Sequence, residues 1–343
     1  MEAYYEFEKP IVALEQKLEE LKTLSVSQKV DFTQEIKILE KKLLELTRTT
    51  YESLTPWQRV QVSRHPNRPH ASDYLDQWFP DFKDLAGDRA FGEDAALIGG
   101  IASWKLKDRT IPVLVLAHQK GRTTKQKMER NFGMPKPEGY RKAQRLMKLA
   151  ERARIPILSL LDTPGAYPGL DAEERGQSQA IAECLTEALA LTVPTLALVI
   201  GEGGSGGALA IGLGDPVFML EFSTYSVISP ESCASILWND PTLAERATER
   251  LKLSAPDLMK LEVIDGIIPE PLGGAHRNWE ATFEKTLSEL HRLWDPELQK
   301  FLKKPEPDQI RARRLEKYRK MGSLALPEAP RLPKPTKKAK KRA

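Results

Sequence analysis

Apolar positions along the chain follow different periods in different stretches. Near the amino terminus they recur at Ile11, Leu14, Leu18 and Leu21, and again at Ile36, Leu39, Leu43 and Leu46. Spacings of three and four, with Lys and Glu between them, predict two amphipathic helices. Ser25-Val26-Ser27 divides the two runs and Asp31 is placed to cap the second. Residues 10–50 are therefore expected to form a helical hairpin. Its narrow apolar stripe needs a partner surface, either its own domain or another subunit. Residues 51–90, rich in Pro, His and Arg, show no clear period and are expected to be irregular.

From about residue 88, short apolar runs alternate with Gly- or Pro-rich turns and helical stretches. Strands are expected at 111–117 (IPVLVLA), 155–162 (IPILSLLD), 193–200 (VPTLALVI) and 217–221, and helices at 139–154, 173–191 and 205–213. Strand, loop and helix in alternation predict an α/β fold with a buried, mostly parallel sheet. Residues 285–321 return to a charged helical pattern. The Pro- and Lys-rich stretch 322–343 is expected to be a disordered tail. The expected division is thus an N-terminal hairpin and linker at 1–85, a central domain at 86–285, C-terminal helices at 286–321 and the tail.

Composition narrows the function classes. Hydrophobic residues make up 41% of the 343, which suits a globular core, and the net charge of +4 does not mark the whole chain as a polyanion binder. Six Lys or Arg and no acid fall in 333–343; such a run reads as a solvated tail, so no nucleic-acid partner is expected. The two cysteines, Cys184 and Cys233, form no C-x-x-C pair. No metal site is expected from this chain alone, and Cys184, on the apolar face of its helix, is expected in the core. With no apolar h-region and no run of about 18 apolar residues, no membrane partner is expected and a reducing, soluble compartment is.

The chemistry concentrates in residues 201–207, GEGGSGG, where five of seven positions are glycine. That many glycines are costly in chain entropy, and a plain turn needs one or two. A P-loop would need Lys after Gly206 and Gly207, and it is absent. A dinucleotide fingerprint fits Gly201-x-Gly203-x-x-Gly206, but the following helix must end by Gly214-Asp215-Pro216, short for a crossover. A serine hydrolase fits Gly203-x-Ser205-x-Gly207, with Asp215 or Asp265 and then His276 following in order. An oxyanion hole built from the loop's own N–H groups, at the start of the helix at Ser205, fits as well and needs no side-chain nucleophile or base.

The residues that carry a resemblance are longer than these strings. They are His118-Gln119-Lys120-Gly121-Arg122, Arg130 through Ala143 (RNFGMPKPEGYRKA), Asp162 through Gly169 (DTPGAYPG), 201–208, Ser223 through Glu231 (STYSVISPE) and Ile268 through Asn278 (IPEPLGGAHRN). Over about 80–280, and with the N-terminal hairpin, the chain resembles the carboxyltransferase α subunits of multi-subunit acetyl-CoA carboxylases. That resemblance implies a crotonase-like fold of repeated ββα units. It implies transfer of a carboxyl group from carboxybiotin, borne on biotin carboxyl carrier protein, to acetyl-CoA, giving malonyl-CoA for fatty-acid synthesis. It further implies an α2β2 assembly, a zinc-ribbon β subunit that holds the CoA thioester, a biotin carboxylase in the wider complex, and a cytoplasmic or plastid-stromal setting.

Under that resemblance the N–H groups of Gly206 and Gly207 are expected to meet the negative charge on the biotin ureido oxygen. Gly203 and Gly204 are the nearest competitors. Ser205 reads as a helix cap rather than a nucleophile. Gly165, Ala166 and Tyr167 are expected to line the same cleft. Lys120, Arg122 and Arg130 are expected either to meet CoA phosphates or to form a solvated basic loop. Tyr225 and Ser229-Pro230-Glu231 read as a strand end and a helix start beside the cleft.

Overall fold

The computed structural model describes residues 4–28 and 31–322. The basic tail beyond 322 lies outside the described residues. The hairpin is present as α1 (Lys9–Gln28) and α2 (Thr33–Glu52). Helix α1 runs straight through Ser25-Val26-Ser27, so those residues do not divide it. Asp31 accepts the N–H of Thr33 at 3.0 Å, but it stands one position ahead of the cap, which is Phe32. At the root of the hairpin, Ile11 and Tyr51 are buried with Leu54, Val62 and Phe222, and Phe7, Leu43 and Leu46 pack on them. Further out the stripe stays covered, with Leu18 buried and Leu14, Leu21, Ile36 and Leu39 half-buried, while Leu24, Val26, Ile38 and Leu44, which lie off it, are exposed.

Residues 51–90 are not irregular. They fold into α3 (Pro56–Ser63), α4 (Ala71–Trp78) and a two-residue strand, β1 (Lys83–Asp84). Thr55 accepts the N–H of Gln58 at 3.2 Å while the Gln58 side chain accepts the N–H of Thr55 at 2.8 Å. With Pro56 at the first helical position, this reciprocal cap starts α3 despite the Pro-rich composition. In α4, Tyr74 is buried edge-on against Trp78 and Phe283.

The sheet continues with β2 (Leu97–Lys105) and β3 (Thr110–His118), paired antiparallel. The sequence pattern does not announce β2, because Gly99 and Gly100 interrupt it. Both are packing glycines: a Cβ would lie 2.5 Å from the Leu146 side chain at Gly99 and 2.1 Å from the Lys83 carbonyl at Gly100. A short α5 (Thr124–Glu129) precedes α6 (Pro137–Ala153), which buries Tyr140, Ala143, Leu146, Met147 and Ala150. Then follow β4 (Ile157–Thr163), α7 (Leu170–Glu174) and α8 (Gln177–Ala190). The single helix expected at 173–191 is split by Gly176, whose φ of +79° breaks the turn.

β5 (Thr195–Gly204) leads directly into α9 (Ser205–Gly212). After these come β6 (Val217–Leu220), β7 (Thr224–Ser226), α10 (Pro230–Trp238), α11 (Ala244–Leu251), α12 (Ala255–Lys260) and β8 (Gly266–Ile268). The strand order is β1-β2-β3-β4-β5-β6-β8, and every pair from β3 onward is parallel. The lower half of β5 pairs with β6, and its upper end, Glu202 to Gly204, pairs with β7.

Two apolar layers cover the sheet. One gathers α6, α8, α9 and α12. The other is filled by α4 and by α13 (Trp279–Lys303), which buries Phe283, Leu290, Trp294 and Leu298. The boundary expected at 285/286 therefore falls inside α13. The last helix, α14 (Pro307–Lys320), is tied on by Arg314. This fully buried side chain donates to Asp215 and to the carbonyls of Ala188, Leu191 and Val193, all at 2.8–2.9 Å. Among the described residues, no helix is long and apolar enough to cross a membrane.

Candidate active site

The strand expected at 193–200 runs four residues further. Gly201, Gly203 and Gly204 therefore belong to β5 and not to a free loop. Gly203 pairs with Thr163 of β4 on one side and Tyr225 of β7 on the other. Each of these glycines has a steric reason. A Cβ at Gly201 would lie 2.3 Å from the Asp162 carboxylate, at Gly203 2.5 Å from the Tyr225 ring, and at Gly204 2.1 Å from the Pro164 carbonyl.

The helix start is different. At Gly207 a Cβ would lie 2.5 Å from the Ala166 nitrogen and 2.5 Å from the Gly165 carbon, but at Gly206 the nearest atom is on Ile181 at 3.6 Å. No packing demands glycine at position 206. In the first turn of α9, the N–H groups of Ser205, Gly206 and Gly207 have no acceptor within the helix and stand at the positive end of its dipole.

Ser205 is not the cap. The cap position is Gly204, and Ser205 is exposed with a left-handed backbone, φ +54°. A non-glycine residue in that region carries strain, which functional turns often hold. Among the described residues no hydrogen bond links a histidine to it. His276 is buried against the N-terminal segment, with its Nε2 3.0 Å from Glu8 and 3.3 Å from the Tyr51 hydroxyl. Asp215 is committed to Arg314, and Asp265 accepts from Lys317 at 2.5 Å. The Ser–Asp–His order in the sequence is not a constellation in space.

Gly165 and Ala166 lie against Gly204 and Gly207, while the contacts of Tyr167 are with Pro135, Gln177 and Lys136. Gly165 adopts φ +152°. The Thr163 hydroxyl lies 2.8 Å from the Gly165 carbonyl and 2.7 Å from that of Gly133, and the Tyr167 N–H donates to the Pro135 carbonyl at 3.0 Å. Gln177 then bridges the carbonyls of Pro135 and Tyr167, both at 2.9 Å. Three separate sequence motifs are thereby tied into one rim. Tyr225 is packed under Gly203, and burial pushes its phenol pKa up. Ser229 caps α10 by accepting the N–H of Ser232 at 3.1 Å, with Pro230 at the first turn.

Lys120 and Arg122 are spent internally, whereas Arg130 is held only loosely. Lys120 bridges Asp162 at 2.7 Å and Glu202 at 2.8 Å. Arg122 pairs with Asp73 and stacks over Trp279 at 4.4 Å. Arg130 reaches only Glu129, at 3.9 Å, and the Gln126 carbonyl, at 3.5 Å. Arg64, in the region read as irregular, donates to Glu202 and Glu231, each at 2.5 Å. Arg68 forms a two-pronged pair with Glu270 and donates to the Ile200 carbonyl at 2.7 Å. His118 is fully buried beside the Gly207 backbone, and burial, only partly offset by Asp162 and by that contact, holds its pKa down, to about 4. Cys184 is core as expected, and burial raises its thiol to about 12.

One group of metal-ligating type exists among the described residues. Glu8, His65 and His276 bring ligand atoms within 4.8 Å of one another. The two imidazoles are stacked at 4.1 Å, and the His65 Nδ1 already accepts the Asn67 N–H at 3.1 Å. Burial opposes ionisation of Glu8, yet hydrogen bonds from His276, the Tyr5 N–H and Tyr51 hold its pKa at about 2. This arrangement works as a hydrogen-bonded anchor for the N-terminal segment.

Comparison with known proteins gives the lineage. The family model described as acetyl co-enzyme A carboxylase carboxyltransferase-like matches residues 4–322. The acetyl-coenzyme A carboxylase carboxyl transferase subunit alpha of Methylococcus capsulatus is 55% identical over 289 residues, covering 84% of this chain and 89% of the relative. That of Geobacter metallireducens is 54% identical over 320 residues, covering 93% and 98%. Among solved structures, a Pseudomonas malonate decarboxylase hetero-tetramer in complex with malonate superposes with a TM-score of 0.53 at 18% identity, over 74% of this chain and 96% of that one. The transcarboxylase 12S hexamer core gives 0.53 at 17%, over 70% and 43%. These two likenesses show a shared crotonase-like fold; with 54–55% identity over nearly full length, this chain belongs to the acetyl-CoA carboxylase carboxyltransferase α-subunit family.

Proposed function

We propose that this chain is the α half of a two-chain carboxyltransferase. It would move a carboxyl group from carboxybiotin on biotin carboxyl carrier protein to acetyl-CoA, forming malonyl-CoA in the bacterial cytoplasm or plastid stroma. A zinc-ribbon β subunit in an α2β2 assembly would hold the CoA thioester, and a biotin carboxylase would recharge the carrier. The observation that carries the reading is the junction of β5 and α9. There the N–H groups of Gly206 and Gly207 stand at a helix start beside Gly165 and Ala166, and among the described residues no hydrogen-bonded Ser–His pair accompanies them.

Carboxybiotin supplies the carboxyl group and, on losing it, an oxygen that gains negative charge. Gly206 and Gly207 would donate to that oxygen. A fixed N–H costs no reorganisation when the charge develops, and one such donor contributes roughly 10²–10³ in rate. Gly203 and Gly204 compete less well for the role, because their peptides are held in the β4–β5–β7 ladder. Gly165, Ala166 and Tyr167 would form the facing wall and exclude water. Mixing the chain with a β subunit and carboxylated carrier is expected to yield malonyl-CoA. A lone chain as active as the mixture would contradict the proposal.

A further inference from the structure

β4 and β5 run in parallel register from Ile157↔Thr195 to Leu161↔Val199, and then slip. The next pair is Thr163↔Gly203, so β5 spends two more residues than β4 over this step. The slip is what places Gly203–Gly204 beside Pro164–Gly165 and sets the height at which α9 begins. A slipped ladder leaves backbone groups without strand partners. One is filled by Asp162, whose Oδ1 accepts the Glu202 N–H at 3.0 Å.

Two carboxylates then face each other at the slip, Asp162 from β4 and Glu202 from β5. The Lys120 ammonium lies between them, at 2.7 and 2.8 Å. Arg64 closes the far side of Glu202 and links it to Glu231 at the start of α10. The stem of Lys120 has its own slot. A Cβ at Gly133, φ +83°, would lie 2.6 Å from the Lys120 Cγ, and the Gly133 carbonyl accepts from Thr163. Side chains from β4 and β5 and the backbone of the 130s loop thus converge on one lysine that contributes no donor to the candidate oxyanion hole.

We propose that Lys120 is a positioning residue for carboxyl transfer: its ammonium fixes the slipped register of β4 and β5 and so sets where the Gly206 and Gly207 donors stand. The inference rests on the carboxyltransferase reading above. A compact ammonium with three rotatable donors suits this place, between two carboxylates at once; a guanidinium is larger and planar and holds its donors in a fixed fork. Misplacement of reacting groups by about 1 Å costs up to roughly a hundredfold in rate, so the loss should appear in turnover rather than in acyl-CoA binding.

The test uses the chain assembled with its β subunit and carboxylated carrier, comparing wild type with Lys120→Met, which keeps the stem beside Gly133. The expected result is a kcat at least about tenfold lower with KM for acetyl-CoA within about threefold. Amide hydrogen exchange should accelerate in peptides spanning 162–167 and 201–207 and stay unchanged across 110–118. Lys120→Arg should recover part of kcat. A Lys120→Met complex with wild-type kcat, or one whose loss comes with uniformly faster exchange, overturns the proposal. If Lys120→Met does not assemble, Lys120→Arg, which strands no carboxylate, is read by the same two criteria. A wild-type complex that transfers no carboxyl group defeats the carboxyltransferase reading itself and is thereby distinguished.

Discussion

The two ends of the central strands are built from the same materials and do opposite things. At the amino ends, Arg314 ties the end of α8 to the turns that lead into β5 and β6, with every guanidinium nitrogen bonded, and Lys317 donates to Asp265 and to the Asp215 carbonyl. A cavity of about 400 Å³ there is walled by these paired ions together with Trp294 and Phe301. At the carboxyl ends, Lys120, Asp162, Glu202 and Arg64 are also paired, but the first N–H groups of α9 have no acceptor within their helix. Ion pairs close one end of the sheet and frame the other. The lesson is that charged motif residues near a glycine stretch need not touch substrate; their charge can be consumed in holding the peptide that does.

That contrast can be broken from the closed end first. Arg314→Ala leaves Asp215 and three carbonyls without their donor, and breaking such a buried pair costs about 3–5 kcal/mol. Urea unfolding should show the loss, while kcat measured well below the transition should stay near wild type. A drop in kcat at unchanged stability would mean the two ends are not independent.

At the open end, His118 makes stability depend on pH. Its folded pKa, about 4, lies below the ordinary 6.5, so the unfolded chain binds a proton that the folded chain refuses. Its contribution is fully present above pH 6.5 and is lost as pH falls towards 4, by up to roughly 3 kcal/mol. Glu8, held at about 2, adds a loss that begins near 4.5 and continues downward. His118→Leu should flatten the decline between 6.5 and 4 in a series of unfolding midpoints and leave the part below 4.5 in place. A wild-type midpoint that does not move between pH 7 and 5 would contradict this. The smallest effect is expected at Ser205. Its hydroxyl has no relay partner, so Ser205→Ala should keep kcat within about twofold, far less than one lost oxyanion donor. A loss of a hundredfold would revive the hydrolase reading.

How much of this was legible in the sequence depended on the range of the determining contact. The runs at 111–117, 155–162 and 193–200 announced β3, β4 and β5 because a strand buried on both faces is apolar throughout. Helix α6 declared itself by period. β2 did not, since Gly99 and Gly100 are there for the neighbours Leu146 and Lys83, which no local window contains. Helices α3 and α4 hid behind Pro and His, although Thr55-Pro56 with Gln58 was a readable start. In the glycine stretch, composition pointed to the site but not to the division of labour. Gly201, Gly203, Gly204 and Gly207 answer to specific neighbours, and only Gly206 does not. Lys120 looked like a surface cation because its acceptors, Asp162 and Glu202, lie on two other strands.

The most direct measurement of the central claim compares two substitutions at Gly206 in the chain assembled with its β subunit. Gly206→Ala has room for its methyl, with nothing nearer than 3.6 Å, and keeps the N–H. Gly206→Pro, at the second helical position, removes the N–H and also constrains Ser205 before it. The rate of malonyl-CoA formation is predicted to fall only slightly for alanine and by roughly 10²–10³ for proline, with KM little changed. Equal rates for the two folded variants would contradict the account, because they would show that the Gly206 N–H makes no contribution to the transfer.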